Sequence, residues 1–303
     1  MIYFSSNSSS VKCTGRTLHM TILVTGFTGN VGLAVGHAMM KRHIPFHAAV
    51  IDPAAASEKF GNAFHYRHLD YADISTFSQA LKGVDQLFLM YPSQVSTRQF
   101  HLFLRYLRFT SVRHIVYLSF KDVPVFPLTP HHAIEKIIQE TGIPFTIIRP
   151  GYYMQNLNLF MRDDIRFHEQ IVTPAGLGKT SMIDIRDIAT FVIHCLEHPA
   201  PHFNRVYTLH GEEVFGFHEI ASLMTLLLGK TIRYTNPSIP FFQMKMVQKG
   251  YPKSYVNEVI MLHLPISLGL TKRTNRQFRE VTGTEPIPLS QYILDYQAHW
   301  EKH

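Results

Sequence analysis

The chain holds 303 residues, 46% hydrophobic and 17% charged, enough apolar material for a folded core and near the length at which a second lobe forms. The formal net charge is +7, but the 29 lysines and arginines are dispersed. No helix-turn-helix, zinc-finger or RNA-recognition pattern accompanies them, so a solvated basic face is expected rather than a nucleic-acid partner. Two cysteines, Cys13 and Cys195, and no apolar run near the roughly 18 residues of a bilayer span argue against a disulfide scaffold and a membrane protein, and for a cytoplasmic setting.

Residues 1–19 lack the apolar stretch of a secretory signal, and Met20 stands just before the first strand-like segment. They are read as a flexible extension outside the fold. From there the chain alternates short apolar runs with helix-like stretches. Strands are expected at 21–25, 46–51, 64–68, 86–90, 114–119 and 145–149, with helices near 31–42, 74–82, 97–109 and 131–141. Several strands are solid Val, Ile, Leu and Phe blocks, as burial on both faces of a parallel sheet requires. After residue 149 the rhythm changes: amphipathic helices are expected at 187–196 and 217–228, one more strand at 205–209, and prolines recur at 237, 240, 252, 265, 286 and 288. The expected fold is α/β, a Rossmann-type doubly wound parallel sheet with a smaller, mostly helical C-terminal lobe. Residues 20–150 form the dinucleotide-binding part; residues 151–303 close the cleft, with some segments returning to the sheet.

The strongest local signal is TILVTGFTGNVG at 21–32. A buried strand runs into Gly26, Gly29 and Gly32, and a helix follows. Glycines serve where the backbone turns sharply and approaches a pyrophosphate, and the helix N-terminus offers free N–H groups to the anion. The turn Gly26, Phe27, Thr28, Gly29, Asn30, Val31 and Gly32 is therefore expected to hold NAD or NADP. Asp52 lies twenty residues beyond Gly32; a carboxylate there can bind ribose hydroxyls and repel a 2′-phosphate, favouring NAD, or it can simply start the turn before Pro53. Asp70, after the third strand, either faces the adenine or is a turn residue.

TILVTGFTGNVG, HLDYADISTFSQALKGVDQLFLMYP, GIPFTIIRPGYYMQN, SMIDIRDIATFVIHCLEHP and VTGTEPIPLSQYILDYQAHW together resemble the NmrA-like family, atypical members of the short-chain dehydrogenase/reductase superfamily. The resemblance runs essentially from Met20 to the end. It implies either an NAD(P)H-dependent reductase of quinones or dyes, or a redox sensor that binds the dinucleotide and acts through a protein partner. It also implies that Tyr91 and Ser119 line the nicotinamide side, and that Tyr152, Tyr153 and Asn156 stand at the interlobe cleft. One departure is Ile51, where many NADP-using relatives carry an arginine; Lys59 is the nearest basic replacement.

Mainstream members of that superfamily use a helical Tyr-x-x-x-Lys. Here Tyr117 and Lys121 have that spacing, but on an expected strand four residues span about 13 Å, so the match is read as accidental. By resemblance His131 and Glu135 occupy the helical positions. Such a pair would let His131 donate a proton near neutral pH with Glu135 raising its pKa; the alternative is two ordinary residues after Pro130. His131 and Tyr152 are thus the candidate catalytic residues. Tyr91, Tyr152, Tyr153, Phe241 and Phe242 are expected to stack on a flat electron acceptor. No metal is expected: His194-x-x-Glu197-His198 ends a helix without a further ligand signal, and His37, His43 and His47 lack ligand spacing. Gly178-Lys179-Thr180 resembles a P-loop ending, but Thr173 stands where its first glycine must be. Epimerase chemistry normally needs the missing helical tyrosine.

Overall fold

The computed structural model describes residues 20–121, 123 and 129–301. Its elements run β1 (Ile22–Val24), α1 (Asn30–Lys41), β2 (Phe46–Val50), α2 (Pro53–Phe60), β3 (Tyr66–His68), α3 (Ser75–Ala80), β4 (Gln86–Met90), α4 (Thr97–Tyr106), β5 (His114–Leu118), α5 (Pro130–Glu140) and β6 (Phe145–Pro150). They continue with β7 (Tyr152–Tyr153), α6 (Asn156–His168), β8 (Gln170–Val172), β9 (Lys179–Ile183), α7 (Ile185–Glu197), β10 (Arg205–Leu209), β11 (Val214–Gly216), α8 (Phe217–Leu228) and β12 (Arg233–Thr235). Helices α9 (Ile239–Gln248), α10 (Lys253–Ser267), α11 (Gln277–Thr282) and α12 (Leu289–Asp295) complete the chain. Among the described residues no helix is long and apolar enough to cross a membrane.

Seven strands form one sheet in the order β10-β6-β5-β4-β1-β2-β3, and every neighbouring pair is parallel. The order reverses at β1, which opens the crevice where α/β sheets bind ligands. Alternation within each strand assigns its side chains to two layers. Val24, Phe88, Val116 and Ile148 pack on one face with Val35 and Met39 of α1 and Ile188, Phe191 and Val192 of α7. Leu23, Leu87, Leu89, Ile115, Tyr117 and Ile147 pack on the other with α4 and α5. Residues beyond 150 thus contribute to this core through α7, β10 and Phe278 of α11.

A second core gathers Tyr152, Leu157, Ile165, Phe217, Met224, Tyr292 and Trp300. A small third cluster joins Val172 to Phe242, Met246, Val256 and Val259. The helical lobe also carries two small sheets, β11-β9-β7 and β12-β8, which the sequence periodicity did not indicate. Helix α2 was likewise not expected. The Asp-Pro pair that reads as a turn is its start: Asp52 is the N-cap and Pro53 the first helical residue, where a missing N–H costs nothing.

Candidate active site

The glycine turn is shaped by steric need. Gly26 has φ +62°, which favours glycine. A Cβ on Gly32 would sit 2.2 Å from the Gly26 carbonyl oxygen, so only glycine lets α1 start against the turn. Phe27 is fully buried, in edge contact with Phe60, Phe64 and Tyr66; its side chain anchors the turn from below. Val31 and Gly32 are also buried, whereas Thr28, Gly29 and Asn30 are exposed. Helix α1 has no side-chain cap and no acidic residue in its first turn. Its first N–H groups are left for an anion, and a Cβ on Gly29 would meet only the Gly26 oxygen, at 3.4 Å, so that side of the cradle is open. These features fit a dinucleotide pyrophosphate.

A cavity of about 370 Å³ continues from this turn along the carboxyl ends of β1 and β2. Ile51, Asp52, Lys59, Asp70, Tyr71 and Val95 line it beside residues 25–28. Asp52 caps α2, its Oδ1 accepting from the N–H groups of Ala54 at 2.9 Å and Ala55 at 3.0 Å, and the residue lines the cavity wall. Asp70 similarly accepts from the Ala72 N–H at 2.8 Å. Ile51 is 66% exposed, and the Lys59 ammonium lies 5.2 Å over the Phe60 ring.

At the ends of β4 and β5 the fold assembles a polar cluster. The Tyr91 hydroxyl donates to the Val95 carbonyl at 2.7 Å, and its ring meets His131 edge-on. Ser119, two residues beyond Tyr117 and therefore on the α5 side of the sheet, is buried and donates to Glu135 at 2.5 Å. Arg149 of β6 holds Glu135 with two hydrogen bonds, Nε at 3.0 Å and Nη2 at 2.5 Å. His131 is half-buried, and its Nδ1 lies 2.6 Å from the Tyr117 hydroxyl. The expected elevation of the His131 pKa is reversed. Burial lowers it and Glu135 opposes this only in part, because that carboxylate is already engaged by Arg149 and Ser119.

The cleft expectations for Tyr152, Tyr153, Asn156 and Phe242 need correction. Tyr152 is 4% exposed, and its hydroxyl donates to His263 Nε2 at 2.9 Å while His263 Nδ1 donates to the Val259 carbonyl at 2.7 Å. Asn156, also buried, lies beside the same tyrosine. Burial drives that phenol's pKa far up, so Tyr152 and Asn156 belong to the second core rather than to a reacting surface. Tyr153 points the other way and packs on the Rossmann core. Phe242 is buried in the third cluster and has no free face for an acceptor, whereas Phe241, on α9, is 51% exposed.

The resemblances set aside stay apart from the site. Lys179 begins β9 and pairs with Glu219, so no helix follows that glycine as in a P-loop. Glu197 pairs with Arg42 at 3.4 Å. Among the described residues no group of three or more His, Cys, Asp or Glu side chains is arranged to hold a metal. The reading along the sequence missed Arg149 as the partner of Glu135, and Tyr117 as the partner of His131. The signal was strand alternation, which turns Tyr117 and Ser119 at the end of β5, and Arg149 of β6, toward α5.

A profile of the NmrA-like family matches residues 19–264. The chain belongs to the NmrA-like family. This NmrA-like protein is 30% identical over 254 residues to the NAD(P)H azoreductase of Xenophilus azovorans, covering 80% of this chain and 87% of that one. It superposes on the crystal structure of an NADPH-dependent quinone oxidoreductase from Escherichia coli complexed with NADPH, with TM-score 0.81, 26% identity and coverage of 92% and 100% of the two chains. The triphenylmethane reductase of a Citrobacter species shares the fold at TM-score 0.81 and 24% identity, covering 92% of this chain and 99% of that one.

Proposed function

We propose that this NmrA-like protein is an NAD(P)H-dependent reductase of a conjugated small-molecule acceptor, a quinone or a dye. The observation that carries the reading is the uncapped helix start behind Gly26, Gly29 and Gly32, opening into the cavity lined by Asp52 and Asp70. The family membership and the similarity to proteins named azoreductase and quinone oxidoreductase support it.

In this reading the N–H groups after Gly29 bind the pyrophosphate, with Thr28 and Asn30 on the exposed side of the cradle. Asp52 keeps one carboxylate oxygen on its cap and turns the other toward the adenosine ribose. Its charge, with Ile51 where an arginine would serve a 2′-phosphate, favours NAD over NADP; among the described residues Lys59 is the only cation on the cavity wall that offsets it. Tyr91, Ser119 and His131 border the nicotinamide side. When bound, the cofactor supplies a hydride. The residues supply orientation and a neutral hydrogen-bond donor, His131. The α5 helix carries His131 and Glu135 where mainstream relatives carry tyrosine and lysine, which disfavours alcohol and ketone chemistry. A conjugated acceptor needs less, because its delocalised product takes its proton from water.

The test is to titrate the protein with NADH and NADPH and then add a panel of quinones and dyes to each complex. Acceptor-dependent loss of reduced cofactor, faster with NADH, is expected. Tight binding with no turnover across the panel would overturn the reductase and favour a sensor; no binding would overturn the dinucleotide site.

A further inference from the structure

We infer that Tyr117 is a positioning residue that holds His131 as the neutral tautomer with its proton on Nε2. The inference rests on the proposed nicotinamide-side site and deepens it. Alternation in β5 turns Tyr117 into the layer shared with α5, where it is fully buried. There its hydroxyl meets His131 Nδ1 at 2.6 Å and has no other hydrogen-bond partner among the described residues.

The direction of that bond follows from which group can part with a proton. Burial and the nearby Glu135 carboxylate raise the phenol pKa well above its ordinary value, so Tyr117 stays O–H. A buried O–H with one acceptor in reach donates to it. The Nδ1 lone pair is thereby used, and a neutral imidazole then carries its single proton on Nε2. Protonating His131 would place a second proton in the short O···Nδ1 contact and displace the Tyr117 O–H from the acceptor it now has. The pair therefore resists becoming an imidazolium.

The other groups facing His131 do not alter this. Tyr91 from the end of β4 and Phe120 after β5 meet the ring edge-on, and the Tyr91 hydroxyl is occupied by the Val95 carbonyl. Glu135, one turn along α5, is engaged by Arg149 and Ser119, so it does not pull a proton onto Nδ1 as the carboxylate of a catalytic triad does. Nε2 has no protein partner among the described residues, and the half-buried ring leaves it able to donate to an acceptor oxygen. The donation needs no net proton transfer to or from His131.

The experiment is ¹⁵N NMR of histidine-labelled full-length protein without cofactor, with His131 assigned by its loss in His131→Asn. In the wild type the His131 Nδ1 resonance is expected in the unprotonated range and Nε2 in the protonated range across neutral pH. Tyr117→Phe removes only the hydroxyl; it is expected to mix the tautomers, raise the pH at which His131 titrates, and lower kcat on the order of tenfold with the KM for NADH unchanged. A wild-type Nδ1–H tautomer overturns the inference, and so does a folded Tyr117→Phe with unchanged His131 shifts. The wild-type spectrum decides the tautomer even where that variant fails to fold. It does not depend on turnover, so failure of the reductase reading registers separately.

Discussion

Removing Glu135 should expose how much of the site is held by one buried carboxylate. Glu135 is 4% exposed and accepts from Ser119 Oγ at 2.5 Å, Arg149 Nε at 3.0 Å and Arg149 Nη2 at 2.5 Å. The Arg149 side chain is itself only 18% exposed. Glu135→Ala leaves that guanidinium facing a wall of protein without its counter-charge. Hydrogen bonds to charged groups contribute roughly 1.5–3 kcal/mol each, but the three do not add, because Ser119 and the outer edge of Arg149 regain water. Breaking a buried pair on one side costs about 3–5 kcal/mol, so the expected loss is about 4 kcal/mol. Ser119→Ala, which removes one neutral donor, should cost about 2 kcal/mol. The double variant Glu135→Leu with Arg149→Met removes both charges at similar volume and should recover most of the loss.

Urea unfolding would be followed by far-UV circular dichroism and by the fluorescence of Trp300, the single tryptophan of the chain. Trp300 is fully buried in the second core, whereas the ion pair stands beside the first. Coincident transitions would therefore show that both cores unfold together, which two-state bookkeeping requires. A Glu135→Ala protein within about 1 kcal/mol of wild type, or a double variant no more stable than the single one, would refute the reasoning.

Two further outcomes follow from the geometry. Gly32→Ala puts a Cβ 2.2 Å from the Gly26 oxygen and should weaken NADH binding roughly a hundredfold, about 3 kcal/mol, with loss of stability. Gly29→Ala meets nothing closer than 3.4 Å and should weaken binding at unchanged thermal midpoint; equal effects of the two in binding and melting assays would count against the cradle. Acid should unfold the protein early. Burial depresses His114, His210 and His263 to about 4, so between that value and the unfolded value of about 6.5 the unfolded chain binds three protons that the folded chain does not. Buried Asp187, raised to about 7, keeps one proton that the unfolded chain has lost. The net two protons make stability fall by about 3 kcal/mol per pH unit as pH drops through this window. Urea midpoints equal at pH 7 and pH 5 would contradict this.

The sheet was legible because its central strands are buried on both faces, so Ile22–Val24, Leu87–Met90 and Ile115–Leu118 read as apolar runs whatever lies beside them. The glycine turn was legible for a related reason: its requirement is local, between Gly26 and Gly32, six positions apart. Helix α2 was hidden because Asp52-Pro53 is equally good at starting a turn and a helix. Strands β7 and β9 carry no apolar run and are defined only by pairing with each other and with β11.

The site divides along the same line. Asp52 could be placed by its distance from the turn, and the chain alone sufficed for the glycine turn and the helix start behind it. Which group Tyr117 would meet could not be read from Lys121, four positions on and beyond the end of β5. It depended on which face of β5 residue 117 takes and which helix covers that face. The same parity sends Tyr152 into the second core and Tyr153 toward the first. Local backbone sterics and two-sided burial are properties of a segment and are written in its residues. Facing partners and the proton that sits between them are properties of how segments pack, and only the tertiary structure decides those.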